Sequence, residues 1–315
     1  MKTGVEGAAF ASVDAPARSR PSPIGIWWLA ARPKTLLAAA TPVWVGSACA
    51  AAVGAFRWGP ALAALLGAML LQVAANFAND VFDYEKGADT EARLGPVRAV
   101  QAGWLSPAAM RRGLWLVIAL TLVVGAYLVS VAGPGLLLVG FASIVSAIAY
   151  TGGPYPLGYH GLGDVFVMLF FGFVAVTGTV FVQAGYIPAL AWWSSIPVGA
   201  LATAILVVNN VRDVETDAAV GKRTLPARFG RGFGVLEYRA LLAGAYLVPF
   251  HPTLSAVSWG FGLLPCLTLP LGIRLATQVS RERGPALNAV LARTALLMFV
   301  FGVLLGVSIL LGRAA

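Results

Sequence analysis

The sequence predicts an all-α protein, a polytopic membrane helix bundle of about nine transmembrane helices. Three observations carry this expectation. First, 59% of the 315 residues are hydrophobic and only 11% are charged, whereas about a quarter of residues are charged in soluble domains. Second, the apolar runs are long and continuous, as in spanning helices; barrel strands would be short and would alternate apolar with polar residues. Third, Lys and Arg concentrate in alternate loops, as they do in chains that cross a bilayer repeatedly.

Residues 1–23 are rich in Ala, Ser, Pro and Arg and contain no long apolar stretch. They read as a disordered tail on the cytoplasmic side. A signal peptide needs an apolar core close behind its charges, so the first span is expected to persist in the mature protein. A single transmembrane domain, 24–315, then follows.

Its spans are expected at roughly 29–54, 60–83, 110–131, 134–151, 163–183, 190–210, 234–251, 255–276 and 286–312, each an apolar run near the length that crosses a bilayer. The fourth and seventh are short. The second and sixth each end in a cluster of acids. Loops on the N-terminal side of the membrane and the span ends that adjoin them, with the tail, hold all of the 22 Lys and Arg residues except Arg57 and Arg313. That excess places the N-terminus and both acidic clusters on the cytoplasmic side of a cell (inner) membrane. An odd number of spans puts the C-terminus outside.

The net charge of +9 therefore reflects membrane topology, and no nucleic acid is expected as a partner. Cys49 and Cys266 both lie in apolar runs and offer neither a disulfide framework nor metal-ligand spacing. Two histidines, His160 and His251, are too scattered for a histidine metal site or a Ser-His-Asp arrangement.

The acids are distributed very unevenly. Asn76-Phe-Ala-Asn79-Asp80-Val-Phe-Asp83, followed by Glu85, Asp89 and Glu91, forms one cluster; Asn209-Asn210-Val-Arg-Asp213-Val-Glu215-Thr-Asp217 forms the other. A shift of 130 residues superimposes Asn79, Asp83 and Glu85 on Asn209, Asp213 and Glu215, which suggests duplication of a four-helix unit. Asn76, Asn79, Asp80 and Asp83 share one helix face, and Asp213 and Asp217 are one turn apart. Polar stripes at that depth are costly unless they face a cavity or each other. Oxygen-only ligands suit Mg²⁺, which is commonly completed by water and substrate phosphates. Lys86, Arg93, Arg98, Lys222, Arg223 and Arg228 lie close by, with Arg32 and Lys34 at the start of the first span, as partners for phosphate oxygens. The plain alternative is a solvated loop in which acids and bases neutralise one another. For Glu85, Glu91 and Glu215 individually, that alternative weighs as much as a metal role.

Asn79-Asp80-x-x-Asp83 and Asp213-x-x-x-Asp217, each closing a membrane helix, resemble the UbiA superfamily of membrane prenyltransferases. Arg93-Leu-Gly-Pro-Val-Arg98-Ala-Val-Gln101-Ala-Gly103, the segment from Tyr150 to Asp164, Phe170-Phe-Gly172 and Gly221-Lys-Arg-Thr-Leu225 are similar to the branch that prenylates 1,4-dihydroxy-2-naphthoate for menaquinone synthesis. The resemblance covers most of residues 24–312. It implies a central cavity open sideways to membrane lipid, Mg²⁺ as cofactor, a polyprenyl diphosphate as donor and 1,4-dihydroxy-2-naphthoate as acceptor, with loss of CO₂. On that basis Asp80, Asp83, Asp213 and Asp217 are expected at the metal. Asn76, Asn79 and Asn209 are expected at phosphate or shaping the site. Lys34, Arg93, Arg98, Lys222 and Arg223 are expected at the diphosphate or the acceptor carboxylate. Tyr150, with Tyr155, Phe170 and Phe171, is expected to shelter the allylic cation. One departure stands out: many members carry a further Asp four residues after the second Asp of the first motif, where this chain has Gly87, leaving Glu85 or Asp89 as substitutes. Other readings are the same fold with another acceptor (4-hydroxybenzoate, haem or a chlorin) and a cation-coupled transporter. Transporters favour sites at the midplane in broken helices, whereas these acids lie at one end.

Overall fold

The computed structural model describes residues 20–89, 93–258 and 261–314. Residues 1–19 of the expected tail, and Glu91, lie outside them.

Two proline-led helices open the structure. Helix α1 (Pro23–Ala31) is capped by the Ser22 hydroxyl, which accepts from the Gly25 N–H; α2 (Pro33–Ala52) follows immediately. The expected first span, 29–54, is thus broken. Pro33 has no N–H to continue the helix, and Arg32 turns the chain with φ 52°, the one non-glycine residue with positive φ among those described. The spans α3 (Trp58–Glu85) and α4 (Pro107–Ala132) come next, α4 capped by Ser106. Then comes α5 (Leu136–Ala149), whose 14 residues rise only about 21 Å, less than a bilayer core of about 30 Å. Helix α6 (Gly163–Val167), a π-helical turn at Met168–Val174 and α7 (Ala175–Ala184) run on as one span. The central helix α8 (Ala189–Arg212) is followed by short α9 (Val214–Ala219) and α10 (Leu225–Phe229). Helix α11 (Arg231–Leu247) ends in a 3₁₀ turn, so the seventh span reaches 20 residues, Arg231–Phe250, and is not short. Helix α12 (Pro252–Ser258), a 3₁₀ stretch at Phe261–Thr268 leading into α13 (Leu269–Arg281), and α14 (Leu287–Ala314) complete the described chain. Among the described residues eight segments are long and apolar enough to cross a membrane, and α5 is the shorter ninth.

Two hydrophobic cores organise the bundle. One joins α2, α7, α8, α11 and α14 around Val45, Leu201, Tyr238 and Phe301. The other joins α1, α3 and α4 around Phe77, Val81, Met110 and Leu114. The first acidic cluster ends a helix of the second core, and the second cluster ends a helix of the first. Close helix contact is bought with glycine where the π-helical turn crosses α8: a Cβ built on Gly199 would come within 2.6 Å of Met168 Sδ and 3.0 Å of Gly172 Cα. Small residues let membrane helices approach in this way. Gly199→Val is therefore expected to destabilise the protein by about 1–3 kcal/mol, read as a lowered thermal unfolding temperature in detergent.

Between α2, α3, α4, α5 and the span 163–184 lies an apolar cavity of about 650 Å³. Part of its wall, Leu122, Leu137 and Phe141, is itself 58%, 59% and 69% exposed. The cavity thus opens sideways between α4 and α5, towards the position of lipid.

Candidate active site

Asp83 is the centre of the acidic end of the bundle. It is buried at the last turn of α3, where it accepts a hydrogen bond from the Tyr159 hydroxyl at 2.8 Å. Its Oδ2 lies 2.6 Å from Arg98 Nη1 and 3.5 Å from Lys222 Nζ. Lys222 belongs to the segment after α9, so this contact joins the two acidic helix ends. Arg98 Nη1 also reaches Asp89 Oδ2 at 2.7 Å and the Asn79 carbonyl at 2.5 Å. Burial works against the Arg98 charge, but Asp83 and Asp89 outweigh it and raise its pKa. Asp89 pairs in addition with Arg93 at 2.7 Å. Of the two substitutes for the residue missing at Gly87, Asp89 lies inside the cluster; Glu85 faces outwards, paired with Arg111.

The second cluster sits against the first. Arg212 holds Asp213 through two bonds, Nε–Oδ1 at 2.7 Å and Nη2–Oδ2 at 2.5 Å. It also donates to Asn209 Oδ1 at 2.8 Å and to Asn288 Oδ1 at 2.7 Å. Asn288, at the start of α14, donates in turn to the Leu94 carbonyl at 2.9 Å, tying α8 and α14 to the 93–103 segment. Asp217 is buried one turn beyond Asp213, and among the described residues its carboxylate accepts no hydrogen bond. Burial lifts its pKa to about 6; Lys222 opposes the rise, and Asp213 and Asp83 add to it. A carboxylate in that state gains from any cation placed beside it.

Tyr159 is the residue the motifs did not single out. Its ring lies 4.7 Å from Lys222 Nζ and 5.2 Å from Lys86 Nζ, a geometry suited to cation–π attraction. Burial and Asp83 hold its hydroxyl in the protonated, donating form. Arg212 and Asn288 were missed as well. Arg212 stands inside the second motif but reads there as one more basic residue; Asn288 has no local signal at all, because its partners are about 76 and 194 residues away. Lys86 Nζ caps the Thr151 and Gly153 carbonyls at 2.7 and 3.2 Å, which brings the 150–162 loop over the site.

Several expected residues are placed otherwise. Asp80, expected at the metal, accepts the backbone N–H groups of Ala99 and Val100 at 3.0 and 3.1 Å, one on each oxygen. It anchors the strand of chain that carries Arg98. Asn76, expected at phosphate, donates to the Ala31 carbonyl and Thr35 Oγ1 at 2.9 and 3.0 Å and fixes the α1–α2 joint. Asn79 accepts from Thr151 Oγ1 at 3.0 Å. Lys34 is exposed; Arg32 is the cation near the cluster, where burial and the charges of Arg98 and Arg93 lower its pKa to about 9. Arg223 is also exposed, and its N–H donates to the Tyr159 carbonyl at 2.8 Å.

The cavity reaches this cluster from the membrane side. Gln72, on its wall, donates to Asn76 at 3.2 Å. Tyr150, also on its wall, packs against Gly163 at the start of α6. Phe170 and Phe171 line it from the π-helical turn, a distortion common at functional sites. Among the described residues no group of three or more His, Cys, Asp or Glu side chains converges on one point. The donor set still fits Mg²⁺, because that ion takes only one or two carboxylates and leaves its other positions to water and phosphate.

Residues 39–303 match the UbiA prenyltransferase family. The chain is 37% identical over 297 residues to the 1,4-dihydroxy-2-naphthoate octaprenyltransferase of Haemophilus influenzae, covering 91% of this chain and 96% of that one. With the protein of the same name from Escherichia coli the identity is 39% over 293 residues, covering 89% and 95%. Among solved structures, a UbiA homolog from Archaeoglobus fulgidus bound to DMAPP and Mg²⁺ superposes with a TM-score of 0.66 at 16% identity, covering 90% of this chain and 99% of that one. An apo UbiA homolog from Aeropyrum pernix K1 gives 0.67 at 16%, covering 88% and 98%. At that identity the structural likeness speaks for the fold. The family match, the sequence relatives and the convergence of two acidic helix ends beside an apolar cavity agree, and this multi-pass membrane protein belongs to the UbiA prenyltransferase family.

Proposed function

We propose that this protein transfers a polyprenyl group from its diphosphate to 1,4-dihydroxy-2-naphthoate, giving a demethylmenaquinol and releasing pyrophosphate and CO₂. The observation that carries the reading is the Asp83 carboxylate, joined to Arg98 and Lys222 from opposite helix ends beside a cavity with the chemistry of a prenyl chain. The names of the sequence relatives support the acceptor. Asp83 and Asp217, with Asp89 and Asp213 around them, would hold Mg²⁺, which would supply charge to steady the departing diphosphate.

The chain's own residues do the rest. Lys222, Lys86 and Arg98 hold phosphate oxygens in a fixed cationic clamp, where leaving-group charge develops. Tyr159, donating to Asp83, keeps that carboxylate oriented. Asp80 holds Arg98 in place through Ala99 and Val100. Tyr150, Phe170 and Phe171 screen the allylic carbon from water with their ring faces, which stabilise positive charge by about 2 kcal/mol when desolvated. A ring carbon of the naphthoate forms the new bond to the allylic carbon as the carbon–oxygen bond to diphosphate breaks. The carboxylate leaves as CO₂, and the proton lost at the point of attack balances the one that replaces the carboxylate. The Lys/Arg asymmetry supports placing this end at the cytoplasmic face of the cell membrane, where the water-soluble acid arrives.

Purified protein in lipid, given the naphthoate, a polyprenyl diphosphate and Mg²⁺, is expected to form prenylated quinol, and a chelator is expected to stop turnover. Undiminished turnover under chelation would remove the metal from the scheme; prenylation of 4-hydroxybenzoate with the naphthoate untouched would replace the acceptor. Cavity shape makes a further prediction. Gly178 lines the cavity, and a Cβ there meets open space, so Gly178→Phe fills volume without clashing at its root. The variant is expected to keep activity with short prenyl diphosphates and lose at least about tenfold with long ones, a discrimination typical of apolar pocket contacts, measured as kcat/KM against chain length.

A further inference from the structure

Three arginines project from the outer wall of the bundle inside its helix ends. Arg239 of α11, Arg274 of α13 and Arg293 of α14 are all exposed. Helix α13 packs against both α11 and α14, so the three helices form one continuous wall. Their ends at the acidic site coincide. Asn288 at the start of α14 bonds Arg212, and Arg231 at the start of α11 donates to the Val279, Ser280 and Glu282 carbonyls at the end of α13. Counted from Arg231, Arg281 and Leu287, the three arginines lie eight, seven and six residues inside. At about 1.5 Å per residue these are depths of about 12, 10 and 9 Å.

The same three helices expose Leu236, Ile273 and Leu296 at 64%, 60% and 49%, the chemistry of a surface in contact with lipid tails. On α13, Arg274, Thr277, Gln278 and Arg281 make a polar stripe opposite buried Gly272, Leu275 and Val279. Among the described residues none of Arg239, Arg274, Arg281, Arg283 or Arg293 has a carboxylate within ion-pair distance. The positive-inside rule explains cations in loops; it does not explain unpaired cations on a lipid-facing wall at a shared depth. Long arginine side chains at that depth rise to the headgroup layer.

We infer that this wall, formed by α11, α13 and α14 at the acidic end, binds the headgroup phosphates of anionic phospholipid. Guanidinium forks from adjacent helices take the phosphate oxygens, and Leu236, Ile273 and Leu296 receive the acyl chains. The site is separate from the cavity between α4 and α5, so the inference stands whatever acceptor the enzyme uses.

The full-length protein in mild detergent, titrated with phosphatidylglycerol or phosphatidylcholine and observed by native mass spectrometry, tests it. Wild type is expected to retain phosphatidylglycerol in preference to phosphatidylcholine. The Arg239→Gln/Arg274→Gln/Arg293→Gln variant is expected to bind phosphatidylglycerol about a hundredfold more weakly, since each arginine near an anionic surface contributes about fivefold. Each single exchange is expected to weaken binding several-fold, which keeps the test decisive if the triple variant misfolds. Equal retention of the two lipids, or unchanged retention by the variants, would overturn the inference. So would complete displacement by millimolar inorganic phosphate, which would mark an adventitious ion only.

Discussion

Asp83→Asn is expected to lower kcat by about 10²–10³-fold, the loss typical when one preorganised group opposing transition-state charge is removed, and to weaken the dependence of rate on Mg²⁺. Among the described residues Asp83 is the one carboxylate contacted from both acidic helix ends, by Arg98 at 2.6 Å and Lys222 at 3.5 Å. The amide keeps shape and the Tyr159 hydrogen bond while deleting the charge. Asp80→Ala is expected to behave differently although it lies only three residues earlier. It orphans the Ala99 and Val100 N–H groups, each costing about 1–3 kcal/mol when left buried without a partner, so its first effect is on stability. Thermal unfolding in detergent and single-turnover kinetics separate the two. Wild-type kcat in Asp83→Asn would break the metal assignment; an unchanged melting temperature in Asp80→Ala would break the anchoring role.

Arg98→Ala is expected to destabilise the metal-free protein by about 3–5 kcal/mol, the cost of leaving buried charges without their partner. Asp83 and Asp89 would then face each other, with Lys222 and Arg93 as their remaining cations. Millimolar Mg²⁺ is expected to recover part of the loss, because the ion would replace the missing positive charge between the two acids. Removing Arg93 should cost less, since its side chain is 18% exposed against 7% for Arg98 and Asp89 keeps its bond to Arg98. A melting curve for Arg98→Ala that is indifferent to Mg²⁺ would show that the ion does not bind among these carboxylates.

Much of the architecture could be read from residue order because it is set locally. A run of apolar residues at spanning length must become a helix in lipid, where no water can satisfy its backbone. Lys and Arg then report which ends lie together. The fourth apolar run is correspondingly short as α5. The break at Arg32 escaped a hydropathy reading: Pro33 was visible, but whether it began a helix or bent one depends on the αL turn before it. The seventh span was underestimated because Arg231, which reads as a loop cation, starts the helix and caps the end of α13.

The acidic clusters were equally legible, since Asp and Asn at one-turn spacing are conspicuous where charge is scarce. Their division of labour was not. Asp80, Asp83 and Asp89 are chemically one residue type on one stretch of chain. What separates them is which partner each one meets: the Ala99–Val100 backbone at Asp80, Lys222 from the other helix end at Asp83, and two arginines close along the chain at Asp89. Tyr159 and Asn288 acquire their roles in the same way, from neighbours remote in sequence. Hydropathy and charge order are properties of neighbours along the chain and survive in the sequence; the task of an individual carboxylate is set by distances of about 3 Å across helix ends, and these exist only once the bundle has closed.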